Sequence, residues 1–324
     1  MSAMLCSLGL MAQLSGTYTI DANFPTGGTN FTSFTDAAAA LNTTGVNGAV
    51  VIDVVAGSGP YNGQTVFNEV SGTSAVNTIT INGNGNTLLF SGTTISPAGI
   101  QLNGTDYLTI NNLTINGSGT RAWCVLLRNA ADYNTISNCN LTTGILTTTN
   151  GMIVDGLGGV VFSDNLLTPT GAADNGSYNT ITGNTISGGH RGISIYGSAG
   201  TPNPGNVITN NIFLNQYTYA IHVQNTSDVL IKDNDLSRPD LTIMPTGGSY
   251  TIYLNGAPNA LIDGNRIHNL FNSRILNTSG LASSINCIGL GTLGGNNITV
   301  KNNIIYGMTN YYQGLIGILA GGGT

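Results

Sequence analysis

The sequence predicts an all-β fold, a parallel β-helix solenoid with one amphipathic helix at its N-terminal side, and three observations carry that expectation. Two short apolar pieces recur along the chain. In Asn179 to Tyr196, NTITGNTISGGHRGISIY, the first piece is N-x-I-x-x-N-x-I, with Ile181, Asn184 and Ile186. The second is G-I-x-I, with Ile193 and Ile195. Each alternates apolar and polar residues, the period of a strand with one buried face, and neither is long enough to stand alone.

The copies are the second observation. The first piece returns around Ile136, Ile208, Ile231, Ile262 and Val300, with weaker forms at Ile81 and Ile110. The second returns at Ile100, Val125, Ile153, Ile221, Ile252, Ile288 and Ile316. Spacing is the third. From Ile100 through Val125, Ile153, Ile193, Ile221, Ile252 and Ile288 to Ile316 the gaps are 25, 28, 40, 28, 31, 36 and 28 residues. A period in the twenties and thirties with elastic loops marks a solenoid, and strands of about four residues make it a β-helix.

Taken in order, residues 1–12, MSAMLCSLGLMA, read as the end of a secretory signal peptide cleaved near Ala12. No other apolar run approaches the ~20 residues of a membrane span. Residues 13–75 form an N-terminal cap with the first strands. Within it a helix is expected over about 30–46, with Phe31, Phe34, Ala38 and Leu41 on one face, Thr32 or Ser33 capping its start and Gly45 ending it. Its role is to cover the first rung, whose strand is expected at Ala49 to Val55. Residues 76–324 then carry the β-helix repeats.

Several stretches resemble a known group. GTYTID (16–21), GAVVIDVVAGSGPYNGQ (48–64), NTITINGNGNTLLF (77–90) and the NTITGNTISG-type repeats are similar to secreted right-handed parallel β-helix proteins of Bacteroidetes, of the pectin-lyase-like fold. The resemblance implies a right-handed solenoid and export by the type IX secretion system. It also implies further domains of the same polypeptide beyond residue 324, where a strand ends at the point the next repeat is due. It does not imply an activity, since this fold carries lyases, hydrolases, adhesins and inert stalks.

Within the repeats, Ile193/Ile195, Ile221/Val223, Ile252/Leu254 and Ile288/Leu290 are expected to form inward aliphatic stacks. Asn184, Asn211, Asn234, Asn265 and Asn303 each follow the inward aliphatic by three residues, which predicts a ladder of stacked amides at one corner. Leu113 and Cys139 take that slot in earlier rungs. The 40-residue gap is read as a looped-out insertion over 156–177, and 198–205 and 237–248 as further turn-rich excursions.

Chemistry is sparse. The chain holds 8 Lys and Arg against 14 Asp and Glu, a net charge of −6, so no basic stripe is present to neutralise phosphates and nucleic acid is not expected as a partner. Of the four cysteines, Cys6 falls in the signal; Cys124, Cys139 and Cys287 read as free buried thiols, and no Cys/His spacing suggests zinc. Asp228, Asp233, Asp235 and Asp240, with Lys232 and Arg238 interleaved, are the densest charge. They read either as a Ca²⁺ site with a catalytic base or as a solvated turn, with Lys232, Asp263 and Lys301 in an exposed column. Ser194, His222 and Tyr253 are expected in register on successive rungs, flanked by Arg128, Tyr196 and Gln224. Of these, Tyr196, His222, Tyr253, Arg128 and Gln224 are the glycan-binding candidates. The expected function is a secreted or cell-surface, non-catalytic adhesin, stalk or glycan binder without cofactor. The alternative is a lyase or glycoside hydrolase of acidic polysaccharide, with Asp233, Asp235, Arg238 and His222 as its catalytic candidates. A third reading, ice binding through Thr-x-Thr at 78–80 and 180–182, is set aside because Lys232, Asp263 and Lys301 interrupt the array.

Overall fold

A computed structural model describes residues 12–146, 155–200, 202–243, 245, 249–273, 284–291, 293, 297–308 and 314–321. The proposed signal peptide, its last residue aside, and the expected marker Ile153 lie outside them. Among the described residues the strands form three parallel sheets of 11, 9 and 9 strands, one strand of each per coil. The chain visits them in fixed order, so Thr180–Thr182, Thr185–Ser187 and Arg191–Tyr196 are one coil across the first, second and third sheets. This is a right-handed parallel β-helix.

The core is three aliphatic stacks, one per sheet. Ile81, Ile110, Ile136, Ile181, Ile208, Ile231 and Ile262 pair in series in the first sheet. Leu88, Ile115, Leu141, Ile186, Phe213, Leu236 and Ile267 do so in the second. Ile100, Val125, Val160, Ile193, Ile221, Ile252 and Ile288 do so in the third. All are essentially fully buried. At ~1.5–3 kcal/mol per buried side chain these stacks are the main driving force of each added coil.

The expected insertion over 156–177 is corrected by the third stack. Leu157–Phe162 is a rung, paired with Ala122–Arg128 on one side and Arg191–Tyr196 on the other. The inward marker is therefore Val160, and the gaps of 28 and 40 from Val125 to Ile193 become steps of 35 and 33 residues. VVFSDNLL resembles the first-sheet pattern, but its Val160 and Phe162 are inward third-sheet residues. Only the following segment, from Ser163 to Tyr178, loops out.

Corners explain the spacing of the motif. At the bend between the first and second sheets, Asn112, Asn138, Gly183, Asn210, Asp233, Gly264 and Asn302 all have φ between 51° and 69°. This left-handed conformation is tolerated by Gly, Asn and Asp. The next residue in five of those rungs is the amide of the ladder. Asn184, Asn211, Asn234 and Asn265 are buried, and each backbone N–H donates to the Oδ1 of the following rung's asparagine at 2.9–3.0 Å. Cys139 N–H donates to Asn184 Oδ1 in the same way at 2.9 Å. A second ladder, absent from the sequence reading, stands at the bend into the first sheet: Asn134, Asn179 and Asn206, with Leu108 N–H donating to Asn134 Oδ1 and Asn134 N–H to Asn179 Oδ1.

At the N-terminal side the helix spans Phe34–Thr44, shorter than the expected 30–46 because Asn30–Phe31 is a strand. Ser33 caps it, its Oγ accepting from Asp36 N–H, and Gly45 at φ 68° ends it. Phe34, Ala37, Ala38 and Leu41 are its buried face. Asn42 does the edge protection: its Nδ2 donates to Val66 O and its Oδ1 accepts from Asn68 N–H, giving the edge strand Thr65–Asn68 polar partners. The first strand is not Ala49 to Val55 but Leu14–Ile20, which pairs parallel with Val46–Val54. No helix among the described residues is long and apolar enough to cross a membrane.

Candidate functional site on the outer face of the third sheet

Outward side chains of the third sheet fall into columns along the axis, a rung apart at ~4.8 Å. One column runs Trp123, Gly158, Arg191, Tyr219, Tyr250, Asn286. A second runs Leu126, Val161, Ser194, His222, Tyr253, Gly289, so Ser194, His222 and Tyr253 are in register as the repeat predicted. A third places Tyr196 beside Gln224.

The upstream half of this face is covered. Trp123, Leu126 and Val161 form an apolar cluster with Ala98, and Leu166 of the looped-out segment packs on it. Pro169 O accepts from Ser194 Oγ at 3.0 Å, and Asn175 Nδ2 donates to Tyr196 O at 2.6 Å. That loop also separates Arg128 from the other candidates, since Arg128 Nη2 donates to Asp164 O. Ser194 and Arg128 are thus tied to the loop.

Downstream, a polar chain lies beneath an aromatic surface. Arg191 is held by Asp155, Nε to Oδ1 at 3.0 Å and Nη2 to Oδ2 at 2.8 Å. Arg191 Nη1 donates to His222 Nδ1. An arginine has no lone pair to offer, so Nδ1 is the acceptor and the imidazole proton sits on Nε2, which lies 3.1 Å from Tyr196 Oη. Burial, and then the Arg191 cation, push His222 well below its ordinary pKa, so it is neutral at pH 7. Burial also opposes the Arg191 charge, but the Asp155 carboxylate outweighs it and raises the guanidinium. Burial raises Tyr196, Tyr219 and Tyr253, which stay protonated. Neither Asp155 nor Arg191 was singled out by sequence reasoning; His190–Arg191 stood in the motif, but a single Asp in a loop gives no periodic signal.

The glycan-binding candidates differ in their exposure. His222 and Tyr196 are 4% and 7% exposed, buried by their neighbours. Tyr219, Tyr250 and Tyr253 are the half-buried ones. Tyr219 and Tyr250 stack at 5.9 Å and 12°, and Tyr253 tilts against Tyr250 at 4.7 Å. Arg191 lies over the Tyr219 ring at 4.9 Å, and the His222 ring packs on Tyr219 at 4.4 Å. On the next rung Gly289 leaves room: a Cβ there would stand 2.4 Å from Tyr250 Cδ1 and 2.9 Å from Tyr253 Cδ2.

The four catalytic candidates do not converge. Asp233 has φ 54° in the corner column with Asn210 and Gly264 and pairs with Lys232; its residue type answers to backbone geometry. Asp235 stands on the second sheet, bonded to His268 at 2.7 Å and beside Arg266. Arg238 is interior, 1% exposed, donating to Ser249 Oγ, Thr218 O and Tyr250 O, and burial lowers it to about 9. His222 is on the third sheet. The remaining acids of the expected Ca²⁺ cluster are dispersed as well, Asp228 accepting from Asn259 and Asp240 from Asn215. Among the described residues no three His, Cys, Asp or Glu side chains are grouped to hold a metal. Lys232, Asp263 and Lys301 are in register on the first sheet, with Lys301 bridging to Asp263. Cys124, Cys139 and Cys287 are free and buried.

The family model of the right-handed β-helix region matches residues 98–240 and 170–322, more than half the chain. The chain belongs to this family. Solved β-helix structures share the fold at low identity. A GH136 lacto-N-biosidase from Eubacterium ramulus is 12% identical, with a TM-score of 0.52 over 94% of this chain and 67% of that one. An alginate lyase from Paenibacillus sp. str. FPU-7 is 15% identical, at 0.48 over 94% and 99%. The Streptococcus pneumoniae surface protein and adhesin PfbA is 15% identical, at 0.44 over 89% and 94%. No curated protein matches the chain in sequence. At these identities the likeness is one of fold, and the family sets no activity.

Proposed function

We propose that this protein is an extracellular or cell-surface β-helix module, an adhesin or stalk, that binds glycan without catalysis on the outer face of its third sheet. The observation that carries the reading is the ledge of Tyr219, Tyr250 and Tyr253, three half-buried rings on two adjacent rungs. Tyrosine faces and edges suit the CH faces and hydroxyls of sugars, at low conformational cost. Beneath them the Asp155–Arg191–His222–Tyr196 chain is internally satisfied. Both Asp155 oxygens and the His222 Nδ1 lone pair are already engaged, so the chain serves to fix and polarise the rings. A glycan array followed by titration tests this. Tyr250→Ala and Tyr219→Ala should each weaken binding by about three- to tenfold, the worth of one aromatic contact. Binding that ignores both substitutions would refute the reading.

One observation favours a second reading, a lyase of acidic polysaccharide: a neutral His222 lies beside the Tyr196 hydroxyl with Arg191 on its Nδ1. An elimination would need Arg191 to turn to the substrate carboxylate, which frees the Nδ1 lone pair to take the adjacent C–H proton. A screen of uronate polymers with and without Ca²⁺, watching for unsaturated ends, decides between them. Turnover lost in His222→Ala but kept in Asp233→Ala would establish the second reading.

A further inference from the structure

Upstream on the molecule, at the corner between the second and third sheets, lies a trough of about 490 Å³ lined by Asn62, Gln64, Leu89, Ser91, Asn116 and Ser118. It exists because two strands overrun. Thr87–Gly92 and Thr114–Gly119 are six residues long, whereas the next strands of their sheet, Asn140–Thr142 and Thr185–Ser187, are three. The overrun continues in register, so Asn62, Leu89 and Asn116 align on successive rungs and Ser91 aligns with Ser118. Gln64 forms the wall; its Nε2 donates to Ser96 O and Ala98 O, both at 2.7 Å, which fixes the side chain and leaves Oε1 as an acceptor.

The chemistry of this lining is uniform. It offers two primary amides, the Ser91 hydroxyl, the Ser118 hydroxyl oxygen (its proton is given to Phe90 O at 3.2 Å) and a fixed amide carbonyl around a half-buried leucine, with no ionisable group. Amides and hydroxyls both donate and accept, which matches the dual character of sugar hydroxyls, and Leu89 offers an apolar floor for a pyranose CH face. A charged ligand would surrender hydration here without a counter-ion. The volume falls in the range of small-ligand sites.

We infer that the trough is a second carbohydrate subsite, selective for uncharged sugar units, at the corner between the second and third sheets, upstream of the loop that covers the near half of the tyrosine-bearing face. Register gives the separation. Gln64 touches Ala98, and Ala98 pairs through Trp123, Gly158, Arg191 and Tyr219 to Tyr250. Five rungs at ~4.8 Å place the two subsites roughly 24 Å apart along the axis. A polymer long enough to pass the covering loop reaches both, while a short oligosaccharide reaches one. Joint engagement rests on the reading of Tyr219 and Tyr250 given above; occupancy of the trough does not.

The test uses the full chain and neutral cello-, xylo- and manno-oligosaccharides, short and long, with oligogalacturonate as the charged probe. Asn116→Trp and, independently, Ser118→Trp fill the trough from exposed positions, and circular dichroism checks that the coil is intact. Short neutral oligosaccharides should lose at least about tenfold in affinity in both variants and be unaffected by Tyr250→Ala. Long ones should lose part of their affinity in either class of variant, as expected for two linked sites. The inference is overturned if no neutral oligosaccharide binds, if short ones bind the two trough variants as tightly as the parent, or if oligogalacturonate is preferred there. Failure of Tyr250→Ala to affect any probe would count against the tyrosine reading alone.

Discussion

Replacing Asn234 by Ala removes the middle of the buried amide ladder, and the structure fixes what is lost. Asn234 Oδ1 accepts from Asn211 N–H at 3.0 Å and from Asn211 Nδ2 at 3.1 Å. Its Nδ2 donates to Ile208 O and to Asn265 Oδ1, both at 2.9 Å. Two losses can be absorbed: Asn211 Nδ2 keeps Ile181 O, and Asn265 Oδ1 keeps Asn234 N–H. Of the other two, Ile208 C=O keeps the ladder bond of its parallel pairing with Ile231, and only the Asn211 N–H is stranded. At ~1–3 kcal/mol per stranded buried group the substitution should cost about 1–3 kcal/mol. Asn303→Ala is the control, because Asn303 makes the same pattern to Asn265 and Ile262 while half-exposed, so water can replace it. Its cost should be about 0.5 kcal/mol, the low end for a hydrogen bond that water can replace. Urea unfolding measures the difference, and native-state hydrogen exchange localises it at the Asn211 amide, which matters because repeat arrays can melt in segments. Equal costs for the two variants, or an Asn211 amide as protected as before, would refute the claim that the ladder holds this corner.

Three further outcomes are expected. His222 and His190 are both lowered by burial from an ordinary value of 6.5. The unfolded chain therefore takes up protons below that pH before the folded one does. Stability is whole above about pH 6.5 and falls as pH drops beneath it, by up to ~1.4 kcal/mol per pH unit per histidine. His222→Gln should flatten that slope in a denaturation series; an unchanged slope would remove His222 from the account. Burial raises the Cys124 thiol strongly and Cys139 and Cys287 to about 11, so a disulfide reagent should modify them only at the rate of unfolding. Prompt labelling of the native protein would contradict this. Gly289→Ala should displace the Tyr250 and Tyr253 rings, changing the near-ultraviolet circular dichroism and weakening glycan binding while far-ultraviolet signal persists; intact affinity would mean that ring placement is irrelevant to the ligand.

The strand stacks and the first amide ladder could be read because they repeat: Ile at a fixed place and Asn three residues later give a period that survives loops of any length. The second ladder was equally written, as Tyr-Asn-x-Ile at Tyr133 and Tyr178 and Gly-Asn-x-Ile at Gly205, but it occupies only three coils and its αL position changes residue type. The rung at Leu157–Phe162 was misread for a physical reason. Gly158 stands where the neighbouring rungs carry Trp123 and Arg191, while Gly159 takes the place of Gly99 and Gly192 and admits no Cβ because Gly192 O and Ile186 Cγ2 would both be 2.5 Å away. The candidate site was legible only in part. Register follows from the period, so His222 and Tyr253 were found; Asp155, which fixes Arg191, comes from a loop, where no period applies.

The fold therefore divides its sequence between two tasks. Inward residues and corner amides repeat, because every coil must dock on the last with the same rise and the same buried polar partners. Outward residues of the third sheet are free of that demand, and there the chain changes character rung by rung: Trp123 and Leu126, then Gly158 and Val161, then Arg191 and Ser194, then Tyr219 and His222, then Tyr250 and Tyr253, and at last Asn286 and Gly289. A solvated sheet face needs no buried arginine, and one carried at 7% side-chain exposure requires Asp155 to compensate its desolvation. Coils on the first sheet do without such a group: their outward residues are mostly Thr, Ser and Asn until the Lys232–Asp263–Lys301 column. Departure from the repeat, combined with a buried cation and rings in contact, marks the third sheet's face as the one whose residues are set by something other than the stability of the solenoid.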